Sequence, residues 1–278
     1  MTQVDMTSAI ELFFTQAAEL CEAISLPATL HHVAVDNKKT HIFDPVTAID
    51  REIEQKLRAH IKQFFPDHGI IGEEFGAENQ EADYVWVLDP IDGTRNFITG
   101  LLGWTCLIGL MYQNRPFAGM IVSPMTGERF IGLNGQSYYS GGRNAVEAKT
   151  LSTSQCQKLE EAYIHISTLE TFKEMGQEKI ANALMDRAKL YRLHYDAYGY
   201  AMLCAGKIDA SLDHGLQLYD IMALIPIIQG AGGYVDYWEN LNKVTGSVTY
   251  SIIAAATPAL GQEIATYFER ISLRFSHP

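Results

Sequence analysis

The stretch Trp86-Val87-Leu88-Asp89-Pro90-Ile91-Asp92-Gly93-Thr94-Arg95-Asn96-Phe97 reads as a buried strand that runs into a tight turn and then a helix start. The apolar run from Tyr84 to Leu88 delivers two carboxylates three residues apart, with Pro90 and Ile91 holding them on an apolar base. Carboxylates bunched in an apolar setting repel one another unless protons or cations neutralise them. A cluster of hard oxygen ligands suits Mg²⁺, which takes a few carboxylates and keeps positions for water and phosphate. The helix start at Gly93-Thr94 would offer backbone N–H groups to an anion. Cation and anion sites side by side point to metal-assisted phosphoryl chemistry.

Outward from this stretch the pattern is mixed. Upstream, apolar residues recur with helical spacing from about Asp5 to Ile24. From Thr47 to Phe65 the spacing is cleaner, with Ile49, Ile53, Leu57 and Ile61 every fourth position. Pro66-Asp67-His68-Gly69 stops that helix before Gly72-Glu73-Glu74. From Tyr84 to about Ser140 the chain reads mainly as strands: Val85–Leu88, Thr105–Tyr112, Phe117–Val122, Arg129–Leu133 and Ser137–Tyr139. Polar residues from Gly141 to Gln157 mark the expected boundary between an α+β half, residues 1–142, and an α/β half, residues 143–278. In the second half strands alternate with helices predicted at Leu169–Asp186, Asp196–Ala205, about Tyr219 to Gly230, and Ala259–Ile271.

The chain has 278 residues, 47% of them hydrophobic, and a formal net charge of −12. The negative charge excludes the basic footprint that a nucleic-acid backbone requires. It suits an anionic phosphate ester only if bound cations invert the local field. No apolar run approaches the roughly 20 residues of a membrane span. Met1-Thr2-Gln3-Val4-Asp5-Met6 lacks the basic and apolar regions of a secretory signal. Cys21, Cys106, Cys156 and Cys204 are scattered without zinc spacing, so free thiols and a reducing cytoplasm are expected.

Asp89-Pro90-Ile91-Asp92-Gly93-Thr94 resembles the signature of the inositol monophosphatase superfamily, the Mg²⁺-dependent, lithium-sensitive sugar-phosphate phosphatases. Three further pieces follow that family's order: Asp44-Pro45-Val46-Thr47-Ala48-Ile49-Asp50, Gly72-Glu73-Glu74, and Tyr219-Asp220 followed by Gly230-Ala231-Gly232-Gly233. The resemblance implies a layered αβαβα sandwich of α+β and α/β character and a homodimer. It also implies a phosphate monoester as substrate and two or three Mg²⁺ ions, with Mn²⁺ as a substitute. Glu73, Asp89, Asp92, Asp220 and the carbonyl of Ile91 are then metal ligands. Asp50 takes the proton of the Thr94 hydroxyl, which orients the attacking water, with Glu73 completing the catalytic set. Paired metals neutralise the phosphoryl oxygens and lower the pKa of water, so no phosphoenzyme is needed.

The resemblance also assigns substrate contacts. Gly93 and Thr94 face the phosphate, and Lys39 approaches it, with Lys38 an alternative. Asp213 and Asp220 face the rest of the substrate. Asp196 precedes two tyrosines, Tyr198 and Tyr200, and with Arg95 it is similar to the histidinol-phosphatase branch. An acidic side chain suits a cationic amine; the other reading of Asp196 is a cap on the helix after it. Two departures leave the substrate open between histidinol phosphate and inositol monophosphate, with a 3′-phosphonucleotide or fructose 1,6-bisphosphate behind them. Tyr219 stands where the family has Trp, and His194-Tyr195-Asp196-Ala197 replaces the branch's Gly-Gly-Asp-Cys. A non-catalytic phosphate-binding regulatory protein is the alternative of a different class.

Overall fold

The computed structural model describes residues 3–29, 35–37, 45–142, 146–241 and 247–274. The chain opens with helix α1 (Gln3–Ala28), continues through two short antiparallel strands, β1 (Val35–Asn37) and β2 (Pro45–Thr47), and enters α2 (Ala48–Phe64). A reciprocal cap starts α2: the Thr47 hydroxyl accepts from the N–H of Ile49 and Asp50, and the Asp50 carboxylate accepts from the Thr47 N–H at 2.9 Å. There follow β3 (Gly69–Gly72), β4 (Gly76–Glu78), β5 (Tyr84–Asp92), the short α3 (Thr94–Thr99), β6 (Thr105–Tyr112), β7 (Arg115–Ser123), β8 (Glu128–Leu133), β9 (Gln136–Gly141) and β10 (Val146–Thr150). Strands β3 to β10 form one sheet in the order β10-β9-β8-β7-β6-β5-β3-β4.

The chain leaves this sheet only after Thr150. It then builds β11 (Tyr163–Ile166), α4 (Leu169–Glu174), α5 (Glu178–Arg187), β12 (Leu190–Leu193), α6 (Asp196–Cys204), β13 (Ala210–Leu216), α7 (Leu218–Ile221), α8 (Leu224–Gly230), β14 (Tyr234–Leu241), β15 (Val248–Ala255) and α9 (Pro258–Arg274). The second sheet runs β12-β11-β13-β15-β14; β11 is parallel to both neighbours, and β15 is antiparallel to β13 and β14.

Side-chain alternation along the strands fixes five layers. Trp86 and Leu88 on β5 face Phe13, Phe14, Ile53 and Leu57 of α1 and α2. Val85 and Val87 face the other way, onto Tyr200 and Leu203 of α6 and Leu224, Ile227 and Ile228 of α8, with Ile252 and Ala254 of the second sheet closing that core. The outer face of the second sheet carries Ile164, Ile166 and Leu212 against Phe172, Leu184, Leu260 and Ile264 of α4, α5 and α9. This is the expected αβαβα sandwich. Helix α8 and the segment before it lie so close to β7 that a Cβ at Gly119 would run into the Ala223 backbone.

Three expectations need correction. The helix predicted over Leu169–Asp186 is broken into α4 and α5 by Gly176 at φ +69°. The helix from Tyr219 to Gly230 is two pieces, α7 and α8, separated at Met222-Ala223. The polar stretch expected as a boundary contains β10, which pairs with β9; its polarity is that of an edge strand facing water. All four cysteines are free thiols, three of them buried and Cys156 partly so. Among the described residues no helix is long and apolar enough to cross a membrane.

Candidate active site

Residues three apart on a regular strand point to opposite faces. Asp89 and Asp92 escape this rule because β5 is bulged between them: Asp89 pairs with Leu107 and Asp92 with Thr105, three steps on one strand against two on the other. The bulge contains Pro90, which has no N–H to give to a ladder. Both carboxylates therefore face the same side, where α7 brings Asp220. Carboxylate oxygens of Asp89, Asp92 and Asp220 lie within 4.8 Å of one another, a grouping that could hold a metal ion.

Two of the three carboxylates are aimed by a backbone donor. Asp92 Oδ2 accepts the Ala197 N–H at 2.7 Å, the first turn of α6, and the Thr105 hydroxyl at 3.3 Å. Asp220 Oδ2 accepts the Gln217 N–H at 2.6 Å. Asp89 is buried, and its Oδ1 has no hydrogen-bond partner. Glu73 follows β3, its N–H donating to Leu88 O at 3.2 Å, which ties its turn to the strand carrying Asp89. Burial first, then Glu73, Asp92 and Asp220, push the Asp89 carboxyl far above the carboxylate range. Burial raises Asp92 to about 6, and burial and Asp92 raise Asp220 strongly. Orphaned oxygens and crowded negative charge are what a hard cation relieves, so the residues present fit such an ion.

Gly93 turns the chain from β5 into α3 at φ +82°, where a Cβ would be strained and would meet the Asp196 carboxylate. The Thr94 hydroxyl donates to Ile91 O at 3.0 Å. Asp50 accepts from the Thr47 hydroxyl at 2.5 Å; burial raises it to about 6, and its Oδ1 is without a partner. The Thr94 hydroxyl donates within its own turn, to Ile91 O, rather than to Asp50, whose Oδ2 is taken by Thr47 and whose Oδ1 stays open. Lys39, and Lys38 beside it, lie outside the described residues.

A cavity of about 100 Å³ opens beside the cluster, lined by Asp92, Asp196, Asp213 and Asp220 together with the hydroxyl residues Ser167, Thr168, Thr171 and Tyr200. Among the described residues its lining has no Lys or Arg, and burial holds His214 neutral, with its pKa near 4. Asp213 accepts from the Ser167 N–H at 3.0 Å, the Ser167 hydroxyl at 2.8 Å and the Tyr200 hydroxyl at 2.8 Å; burial raises it to about 7. Asp196 does not cap α6. Its Oδ2 accepts from Asn96 Nδ2 at 2.9 Å, and the same amide donates to His194 O and Gly103 O, both at 3.1 Å. The turn it holds has His194 and Asp196 at positive φ, +71° and +39°. From below, buried His165 accepts the Tyr195 N–H on Nε2 at 3.3 Å, which places its proton on Nδ1 toward Ser211. Arg95 pairs with Glu170 of α4 at 2.5 Å, an exposed bridge.

Asn96, His165, Ser167 and Glu54 of α2 were not singled out in the sequence. Only Asn96 and Glu54 carry a signal there: Asn96 stands two residues after Thr94 in the opening stretch, and Glu54 is a charge on the buried stripe of an amphipathic helix.

Comparison with known proteins agrees with this geometry. The model of the inositol monophosphatase family matches residues 3–273. Bifunctional phosphatase IMPL2, chloroplastic, of Arabidopsis thaliana is 40% identical over 227 residues, 79% of this chain; the chain spans 64% of that protein's length. Histidinol-phosphatase of Mycobacterium tuberculosis is 29% identical over 210 residues, 76% of this chain and 79% of that one. The solved structure of an inositol monophosphatase from Zymomonas mobilis superposes with a TM-score of 0.77 at 32% identity, covering 92% of this chain and 96% of that one.

Proposed function

Since the chain belongs to the inositol monophosphatase family, we propose that it is a Mg²⁺-dependent phosphoric monoester hydrolase whose substrate carries a cationic amine near the phosphate, with histidinol phosphate as first choice. The observation that carries the substrate class is the set of four carboxyl groups, Asp92, Asp196, Asp213 and Asp220, in the cavity wall, with no Lys or Arg among its described lining residues. Inositol offers only hydroxyls to that wall, and a second phosphate would be repelled by it. An ammonium neutralises it.

Glu73, Asp89, Asp92, Asp220 and the Ile91 carbonyl are the residues that would hold Mg²⁺, with Mn²⁺ able to substitute. The bound cation would neutralise the phosphate and make water acidic enough to attack at neutral pH. Gly93 and Thr94 present backbone N–H groups to the phosphoryl oxygens. The Thr94 hydroxyl orients the attacking water, and the free oxygen of Asp50 is the local proton acceptor. Asp196 and Asp213 receive the amine, and Arg95, tied to Glu170, lies on the same α3 turn. In this reading residues 1–142 carry the metal-binding loops, and residues 143–278 add the last ligand and the substrate wall. We extend it to a homodimer in a reducing compartment such as the cytoplasm, where four free thiols persist.

The test is phosphate release from histidinol phosphate and inositol 1-phosphate side by side, with and without Mg²⁺. A kcat/KM preference of 100-fold or more for histidinol phosphate, about 2.7 kcal/mol of differential transition-state binding, supports the reading. Preference for inositol 1-phosphate overturns the amine; turnover of neither ester, nor of nucleotide or sugar bisphosphates, leaves the non-catalytic phosphate-binding alternative.

A further inference from the structure

Helix α2 buries a stripe made of Asp50, Ile53, Glu54, Leu57 and Ile61. Two of these five are carboxylates one turn apart, and only Asp50 has been given a place at the site. Glu54 is fully buried. Its Oε2 accepts the Glu74 N–H at 2.7 Å and its Oε1 accepts the Phe75 N–H at 3.1 Å, while Arg58 Nε donates to Oε1 at 2.8 Å. Arg58 also reaches the Gly76 carbonyl and lies 3.8 Å from Glu78. The chain from Gly72 to Gly76 is thus wrapped around one carboxylate, so closely that a Cβ at Gly72 would collide with it. Glu73 sits in the middle of this wrap, anchored on its other side by its N–H to Leu88 O.

We propose that Glu54 is the positioning residue for Glu73, fixing the Gly72–Gly76 turn so that the Glu73 carboxylate is held at the Asp89–Asp92–Asp220 cluster and cation affinity is set from α2. A buried anion is costly unless it is paired and fully hydrogen-bonded. Core stability alone would be served by an apolar residue at this place in the stripe. The backbone donors of Glu74 and Phe75 lie between β3 and β4, and Glu54 accepts both and locks the turn. Groups that orient a metal ligand from behind typically alter metal affinity 10–100-fold when removed.

The inference rests on the cluster holding a divalent cation, and the test separates the two claims. Mn²⁺ binding to the intact protein is measured by electron paramagnetic resonance of the free ion, without substrate, with folding followed by circular dichroism. Glu54→Gln removes the charge and sets an amide N–H₂ against one of the two backbone N–H donors, whichever way the amide is turned; Glu54→Asp keeps the charge but draws it back by one methylene. Both weaken Mn²⁺ binding, Glu54→Gln by 10–100-fold and Glu54→Asp by less, and kcat at saturating Mg²⁺ stays within severalfold of the native value. Ile61→Val, two turns further along the same stripe, lowers Tm but leaves Mn²⁺ affinity within twofold. If Glu54→Gln does not fold, Glu54→Asp decides. Native affinity in a folded Glu54 variant, or an equal loss in Ile61→Val, overturns the proposal. Failure of the native protein to bind Mn²⁺ would instead remove the metal reading itself.

Discussion

Asp92→Asn should make the cation-free protein more stable and the cation-loaded protein less stable than the native one. In the folded chain burial raises the Asp92 carboxyl from 3.8 to about 6. A folded pKa above the unfolded value means the native state prefers the proton. The cost of the charge is absent below about pH 3.8, grows as pH rises towards 6, and is complete above it. At pH 8 a shift of roughly two units is worth about 3 kcal/mol. Asparagine removes that cost but accepts the Ala197 N–H as a neutral group, returning about 1 kcal/mol. The net gain is about 2 kcal/mol. At about 2.1 cal/mol/K per residue, a 278-residue chain unfolds with an entropy near 0.6 kcal/mol/K, so Tm of the metal-free variant rises by roughly 3 °C. Mg²⁺ at 100 times its Kd stabilises the native protein by about 2.7 kcal/mol, or roughly 5 °C. The variant, lacking a ligand, gains little. Differential scanning calorimetry at pH 8 in EDTA and then in Mg²⁺ should therefore show the two curves exchange order. A metal-free variant that melts below the native protein would refute the repulsion argument, and a full Mg²⁺ increment would remove Asp92 from the ligands.

Asp196→Ala should lower kcat/KM for histidinol phosphate at least tenfold more than for inositol 1-phosphate; equal losses would make it only a partner of Asn96. Thr94→Ala should cut kcat on the order of 100-fold with little change in KM if its hydroxyl orients water, whereas a rise in KM alone would make it a binding group. Burial, with a smaller push from His194, lowers the pKa of His165 from 6.5 to about 3. The unfolded chain therefore binds the extra proton between those values, and this stabilising contribution, complete above about pH 6.5, falls by about 2 kcal/mol at pH 5. Urea midpoints at pH 7.5 and 5 for the native protein and His165→Gln measure it: the stability gap between the two should shrink by that amount, and a constant gap would show the ring to be less shielded than its burial indicates.

Features carried by neighbouring residues were legible in the sequence. Asp89-Pro90-Ile91-Asp92 reads as a carboxylate pair on an apolar base because strand and turn are contiguous, and the helical period from Ile49 to Ile61 gives α2 to within a residue. The bulge that makes Asp89 and Asp92 face one way was not legible, since it depends on the register with β6. Nor was the pairing of Asp50 with Thr47, where a local cap competes successfully with a distant hydroxyl. His165 lies between Ile164 and Ile166 and looks like any strand residue until α6 is laid over it. Gly176 did carry a signal, but the apolar period on either side of it masked the break. The short segment Val146-Glu147-Ala148-Lys149-Thr150, set within a polar stretch, did not stand out as β10, because an edge strand needs only one partner.

The bulge at Pro90 has a consequence in time. Asp92 leaves the ribosome 128 residues before Asp220, an interval of roughly 6–25 s at ordinary synthesis rates of about 5–20 residues per second. Throughout that interval the nascent chain carries an acidic corner whose last carboxylate, and whose Ala197 amide donor to Asp92, have not yet been made. A cation captured early would be held by an unfinished shell and could leave. The three-carboxylate cluster is complete only when α7 docks, so an ion bound there would be a late fastener between the first sheet and the helices laid over it, and the chain would be spared a tight metal trap while most of it is still unmade.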